Sequence, residues 1–405
     1  MKKLPVYGLV ILTLANMLNY LDRNLFNSLA PEIQKDLLLS DFQVGLLASA
    51  FTYIYIIACP LMGLLGDKYK RPKLLSISIM MWSFATGLAG LARGVWTMAI
   101  ARSSVGIGEA AYSSIGPSLV EDYVPSKWKA RAMGIFLVAV PVGSALGYLL
   151  GGMLFGAVGW RMAFFVVGGP GILIALGAYF IKEPNEDLGK NKDPFFTELK
   201  NNLKDLIHNR NYMYAVAGYT AFTFVVGAMQ VWMPMIIVRT KNMDLANGVM
   251  MFGGVTVVSG IIGTFVGSYL ADKLRPKIPR IPILLCAISI LLGTPFAASV
   301  LFIDDQMWFF IVLFICEIFL FANTTPITIV LLESVPADQR SIAMGLSVLA
   351  IHAFGDGISP ALIGYVSDKT DVITASILLP IGLVVGFVFW YLGYKKWDDP
   401  VKTAT

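Results

Sequence analysis

The sequence predicts an all-α membrane protein of twelve transmembrane helices, divided between two related six-helix bundles. Three observations predict it. First, 57% of the 405 residues are hydrophobic and only 14% are charged, with a mean hydropathy of +0.71, whereas soluble domains carry about a quarter charged residues. So little charge means that most of the surface faces lipid, which excludes an ordinary soluble enzyme, and a net charge of +5 is too small to suggest a nucleic-acid partner. Second, the apolar residues fall into twelve segments, each long enough for the ~20 residues with which a helix crosses a bilayer. Third, the halves repeat each other. Val124-Pro125 precedes Ala132-Met133-Gly134 as Val335-Pro336 precedes Ala343-Met344-Gly345, and Asp67-Lys68-Tyr69-Lys70-Arg71-Pro72-Lys73 matches Asp272-Lys273-Leu274-Arg275-Pro276-Lys277, one residue shorter. Parallel repeats of this kind are a transporter architecture with its substrate site near the membrane midplane.

The segments run 5–30, 42–66, 74–92, 95–120, 130–157, 162–181, 211–238, 246–271, 281–303, 306–332, 341–367 and 372–394. Lipid offers the backbone no partner, so each is a helix. The first follows Lys2 and Lys3 as a signal peptide would, yet Asn16, Asn19, Asp22 and Arg23 interrupt the apolar run such a peptide needs, and it is read as a span. Alternate loops differ in cations: 23 Lys and Arg lie on the side of the N-terminus and 6 on the other. The positive-inside rule then puts both termini in the cytoplasm. The outer loops lack Asn-x-Ser/Thr, which suits a bacterial inner (plasma) membrane. The expected organisation is an N-terminal bundle over 1–181, a linker over 182–210, a C-terminal bundle over 211–396 and a tail over 397–405. In the linker, Phe195, Phe196, Leu199, Leu203, Leu206 and Ile207 share one side of a helix, giving either an amphipathic helix on the inner leaflet or a solvated tether.

Ionisable side chains inside a bilayer are expensive and mark function by default. Six lie within these spans, Asp22, Arg23, Arg102, Glu109, Glu317 and Asp356, and His352 is a seventh titratable group. Asn16, Asn19, Arg23 and Asn27 form one polar stripe on the first helix, flanked by Asp22. On the fourth, Arg102 and Glu109 share a face two turns apart, about 10 Å by the helical rise, so each is expected to find its partner on the first helix. Asp22, Arg23, Arg102 and Glu109 thus form either a transport network or a buried ion cluster that only fixes packing. A carboxylate whose Arg partner is captured by an anionic headgroup gains proton affinity. Asp22 or Glu109 is therefore the expected proton carrier, helped by Arg102, with Arg23 as the headgroup ligand. In the C-terminal half Glu317 shares a face with Phe321, Thr324 and Thr328, and His352 with Asp356 and Ser359; Glu317, His352 and Asp356 are the expected proton-coupling residues of this half and Thr324 an expected substrate contact. His352 is either a proton relay or a satisfied structural histidine. Tyr219, Thr223 and Gln230 form a weaker stripe, and Tyr53, Tyr112 and Trp232 are the aromatic residues expected to line the substrate path.

Three motifs resemble the major facilitator superfamily over essentially the whole chain. Gly63-Leu64-Leu65-Gly66-Asp67-Lys68, followed by Arg71, resembles its loop between the second and third helices, with Lys70 where a Gly is usual. Arg102 to Ala110 resembles the motif whose Arg is implicated in proton coupling, and Gly143, Gly147, Gly151 and Gly152 after Pro141 resemble the fifth-helix pattern of exporters. Within the superfamily, Asn19-Tyr20-Leu21-Asp22-Arg23, Gly106-Ile107-Gly108-Glu109-Ala110-Ala111-Tyr112 and His352-Ala353-Phe354-Gly355-Asp356-Gly357-Ile358-Ser359-Pro360 are most similar to the Spinster family of lysolipid and sphingolipid transporters. The resemblance implies a major facilitator fold, an amphiphilic lipid substrate, alternating access and proton coupling. It also implies a cytoplasmic gate built from Gly63, Asp67, Lys68, Arg71, Glu121, Arg131, Asp272 and Lys273. The alternative is a proton-coupled carrier of a small organic anion such as a sugar acid. Cys59, Cys286 and Cys316 have no metal-ligand spacing, and no nucleotide loop is present. The expectation is a monomer that is not an enzyme, with no metal and no cofactor, and with the proton as coupling ion.

Overall fold

The computed structural model describes residues 6–125, 128–183, 203–278, 280–336 and 339–397, apart from the side chains of Asp67, Ala130 and Ser341. The first half comprises α1 (Val6–Leu37), α2 (Asp41–Lys68), α3 (Arg71–Ala89), α4 (Val95–Tyr123) and α5 (Lys129–Tyr179). Ser40 opens α2 through a capping box, its hydroxyl accepting from the Gln43 N–H while the Gln43 side chain accepts from the Ser40 N–H. Pro72 opens α3, where a missing N–H costs nothing. At 51 residues α5 is too long for one crossing. Gly159 breaks it with φ 77° and ψ 166°, a conformation that residues with a Cβ rarely adopt, and supplies the fifth and sixth spans.

The second half comprises α6 (Arg210–Thr240), α7 (Leu245–Leu274), α8 (Ile281–Ser299), α9 (Gln306–Phe321), α10 (Thr324–Glu333), α11 (Arg340–Ile351), α12 (Ser359–Lys369), α13 (Val372–Ser376) and α14 (Leu378–Lys396). α9 with α10 forms one span, as do α11 with α12 and α13 with α14, so the fold is that of a twelve-span, all-α membrane protein. The helices of lower apolarity, α1, α3 and α4, are the ones that carry Asp22, Thr86, Arg102 and Glu109.

Contacts divide the chain into one unit of Met1–Asn191 with Met233–Gly254 and another of Lys192–Trp232 with Val255–Thr405. The first unit is cored by Leu12, Trp82, Tyr112 and Phe136. Its α1 and α5 meet along a seam of small residues, where a Cβ on Gly147 would lie 2.7 Å from the Leu21 carbonyl oxygen and one on Gly151 would strike Ser28. The exporter-like glycines are therefore helix-packing positions, with Gly143 against Met17 and Gly152 against Ala246 and Met250. Also in this unit, Arg239 donates to both oxygens of Asp41, at 2.8 and 2.6 Å, and to Gln34.

The repeat extends to an ion pair. Arg71 donates to Asp122 at 2.7 Å, and Arg275 pairs with Glu333. Both arginines stand in an Arg-Pro-Lys triplet, and both carboxylates stand two residues before the Val-Pro of their own half.

Candidate functional site

Within the first unit the polar stripe of α1 meets α4. Arg23 Nε donates to Glu109 Oε2 at 2.7 Å, with Glu109 fully buried and the Arg23 side chain 19% exposed. The Arg23 guanidinium lies 4.6 Å from the ring centre of Tyr55, 5.1 Å from Phe51 and 5.2 Å from Tyr20, within the range at which ring faces attract a cation. Arg102, also buried, lies 4.4 Å from the Phe26 ring and 4.7 Å from Phe51, so one phenyl ring serves two guanidinium groups. Asp22 accepts from the Thr86 hydroxyl on α3 at 3.1 Å. Asp22, Arg102 and Glu109 lie within electrostatic reach of one another.

The four charged residues thus occupy one cluster, and Glu109 finds its partner on the first helix. Arg102 finds the Phe26 ring there instead, and the Phe51 ring on α2. Four polar atoms of this cluster, Asn19 Nδ2, Asp22 Oδ1, Arg102 Nε and Glu109 Oε1, are buried without a hydrogen-bond partner among the described residues. Buried polar groups are nearly always satisfied. Asn19 and Glu109 lie within hydrogen-bonding reach of each other, and the remaining unpartnered atoms make this cluster the candidate site of the first unit.

The rest of the stripe divides. Asn16 donates to the Phe136 carbonyl at 2.8 Å and ties α1 to α5, and Asn27 is buried. Tyr112 is a core residue: its hydroxyl donates to the Leu12 carbonyl at 2.5 Å and its ring packs edge-on against Trp82. Trp232 is likewise fully buried and donates to the Pro360 carbonyl at 3.2 Å. Neither ring presents a surface to a substrate path, which corrects the expectation for both. Tyr53 and Gln230 are exposed. Tyr20, Phe51, Tyr55 and Thr86 were missed by the sequence reading. Phe51 and Tyr55, four residues apart on α2, are the signal that was available.

In the second unit Glu317 is buried on α9, and its partners lie on α7, where Thr256 Oγ1 is 3.0 Å from Oε1 and Ser259 Oγ is 2.7 Å from Oε2. The expected face of Glu317, Thr324 and Thr328 does not form, because a turn at 322–323 ends α9 and shifts the register. The exposed Thr324 and Thr328 bond back to Phe321 and Thr324 carbonyls. His352 and Asp356 do meet, with Nδ1 at 3.0 and 2.9 Å from the two carboxylate oxygens, inside a π-helical turn of His352–Asp356. Ser359 is fully buried, and it faces Gly227 of α6 together with Asp356: a Cβ on that glycine would strike Asp356 Cβ and lie 3.4 Å from Ser359 Oγ. Gly355 permits the turn to pack on α6, where a Cβ would meet Thr223 and stand 2.9 Å from the Thr220 carbonyl.

Of the expected gate residues, Arg71 is engaged by Asp122 and, at 2.7 Å, by Glu183. The Asp67 side chain lies outside the described residues, as do Phe195, Phe196 and Leu199 of the linker and residues 398–405 of the tail. Lys68 is exposed, and Gly63 lies 4.0 Å, by its would-be Cβ, from Ser114. Glu121 is 3.6 Å from Lys129, Arg131 covers Trp128 at 5.0 Å, Lys273 covers Tyr269 at 5.2 Å and Asp272 is exposed. In described linker residues 203–208, which are helical, Leu206 is buried while Leu203 and Ile207 are exposed.

The family profile of the Major Facilitator Superfamily matches residues 12–360. Protein spinster homolog 1 of Xenopus laevis is 32% identical over 387 residues, covering 91% of this chain and 74% of its own length. The sphingosine-1-phosphate transporter SPNS2 of Danio rerio is 30% identical over 385 residues, covering 90% of this chain and 76% of its own. A crystal structure of a bacterial homolog of the human lysosomal transporter Spinster, inward-facing and occupied, superposes with a TM-score of 0.86 at 21% identity, over 98% of each chain.

Proposed function

The chain belongs to the major facilitator superfamily and, within it, to the Spinster family, and on that premise we propose that it moves lysophospholipid-like or sphingolipid-like amphiphiles by proton-coupled alternating access. The sphingosine-1-phosphate and sphingolipid transporters among its relatives support a lipid cargo. The observation that carries the reading is Arg23, held to a buried carboxylate through Nε alone and backed by three aromatic rings. A phosphate headgroup competes with Glu109 for that guanidinium, and the ring edges suit the adjoining glycerol or alkyl segment. Loss of its cation raises the proton affinity of a buried carboxylate, so headgroup capture and proton uptake become one event at Glu109 and Asp22. Arg102 tunes both carboxylates, and His352 with Asp356 relays protons in the other half. The protein works as a monomer in a bacterial inner membrane with both termini in the cytoplasm.

Proteoliposomes supplied with a lysophospholipid, a sphingoid phosphate or a sugar acid, each with and without a pH gradient, test the reading. Gradient-driven accumulation of either amphiphile supports it. Accumulation of the sugar acid alone overturns the lipid assignment in favour of a small-anion carrier, and uptake that ignores the gradient overturns proton coupling.

A further inference from the structure

Glu317 belongs to neither the aromatic-backed cluster nor the His352 turn. It lies buried in the second unit, and among the described residues its hydrogen-bonding side chains are the hydroxyls of Thr256 and Ser259. Three oxygen pairs lie in a row: Thr256 Oγ1 to Glu317 Oε1 at 3.0 Å, Glu317 Oε2 to Ser259 Oγ at 2.7 Å, and Ser259 Oγ to the Thr256 carbonyl at 3.1 Å. The first two are hydrogen bonds between neutral hydroxyls and the carboxyl. The third is the contact a helical serine makes with the carbonyl three residues back; Ser114 Oγ likewise lies 2.9 Å from two carbonyls. A carboxyl held only by neutral hydroxyls is suited to the acid form, because nothing in the row balances a negative charge.

Among the described residues no countercharge reaches Glu317. Residues 245–271 of α7 and all of α8 contain no Asp, Glu, Lys, Arg or His. The ionisable groups on these elements are Cys316, beside Glu317 and directed at the Gly293 carbonyl of α8 (3.8 Å), Cys286 of α8, and Tyr269, whose ring takes Lys273. A bare carboxylate in this position would carry the full cost of intramembrane charge.

We infer that Glu317, held between Thr256 and Ser259, is a second proton-binding site, separate from the Asp22 and Glu109 cluster, loaded in this conformation and unloaded when movement of α7 against α9 separates the hydroxyls from the carboxyl. The inference rests on the proton-coupled reading for its role in transport, but the loaded state of Glu317 does not. Glu317→Gln tests both. Its amide oxygen accepts from Thr256 and its amide nitrogen donates to Ser259, so the row of bonds survives and the fold with it.

Infrared difference spectra of the reconstituted wild type and E317Q between neutral and alkaline pH read the protonation directly. The expected result is a carboxylic-acid carbonyl band present in the wild type, absent from E317Q, and shifted in Ser259→Ala, which removes one of the two hydroxyls that hold the carboxyl. Spectra in which E317Q loses no such band overturn the inference. With lysophosphatidylcholine as cargo, the protons moved per lipid, read from the pH gradient that just stops net flux, fall by one in E317Q while lipid exchange without a gradient is retained. An unchanged ratio overturns the coupling role. A wild type that moves lipid with no proton flux sinks the proton-coupled reading itself, and the infrared comparison still decides whether Glu317 holds a proton.

Discussion

The two units handle buried charge in opposite ways. In the first, carboxylates and guanidinium groups are brought together, and Arg23 and Glu109 meet at 2.7 Å while Arg102 is left on aromatic faces. In the second, no cation approaches Glu317 among the described residues, and hydroxyls take its oxygens. A pair of opposite charges can be broken by a competing ion, so on the proposed function the first arrangement is the one suited to an anionic ligand. A hydrogen-bonded neutral acid offers nothing to an anion and is suited to protons and to movement of its partners. The proposal thus assigns ligand sensing and proton storage to different units.

Arg23→Ala attacks that contrast most directly. Removing one partner of a buried pair costs about 3–5 kcal/mol because the other charge is stranded, so a large fall in thermal stability and background-level uptake are expected, measured by unfolding in detergent and by proteoliposome flux. The double change Arg23→Met with Glu109→Leu restores most of the stability and none of the transport. Recovery of transport there would reduce the cluster to a packing device. Next in size, Asp22→Asn leaves lipid exchange intact and brings gradient-driven accumulation down to the level seen without a gradient. Unchanged gradient dependence removes Asp22 from the coupling scheme.

In the second unit the π turn is the target. Gly355→Ala pushes a methyl group against Thr223 and the Thr220 carbonyl, and overpacking of this kind costs about 1–3 kcal/mol. Lower stability together with a changed pH profile ties the turn to the His352 and Asp356 pair, and a stability loss with an unchanged profile makes the turn purely structural.

The smallest effect belongs to a loop carboxylate outside the bilayer. Asp371 caps α13, and the Thr374 hydroxyl together with the N–H groups of Thr374 and Ile373 hold its carboxyl below the usual range. A depressed folded value means that the contribution is present at neutral pH and lost as pH falls through that value. Solvent screening keeps it small, so Asp371→Asn shifts the acid limb of thermal stability slightly and leaves transport untouched.

The spans, the repeat and the Arg23–Glu109 pairing were legible because each follows from spacing along a single helix or from matched strings in the two halves. What one helix presents to another was not. Thr86 on α3 and Thr256 and Ser259 on α7 are ordinary hydroxyls in apolar runs, and only the rotation of those helices about their axes aims them at Asp22 and Glu317. Extrapolating a helical face also fails wherever the helix stops. The turn at 322–323 removed Thr324 from the face of Glu317. Tyr112 and Trp232, expected to line the substrate path, instead give their polar ring atoms to backbone carbonyls in the core. Asp122 and Glu333, the carboxylates of the repeated ion pairs, were overlooked beside Glu121, although both occupy the same position before a Val-Pro.

Glu109 holds Arg23 by the inner edge of the guanidinium, at Nε. On the proposed function, a phosphate entering on the terminal side of the guanidinium, where Tyr55 also interacts with it, would engage the arginine before Nε releases Glu109. Exchange would then be associative, with the incoming anion attaching first and the resident carboxylate leaving second, so that neither charge would stand bare in low dielectric, and the rate of loading would depend on headgroup size more steeply than affinity does.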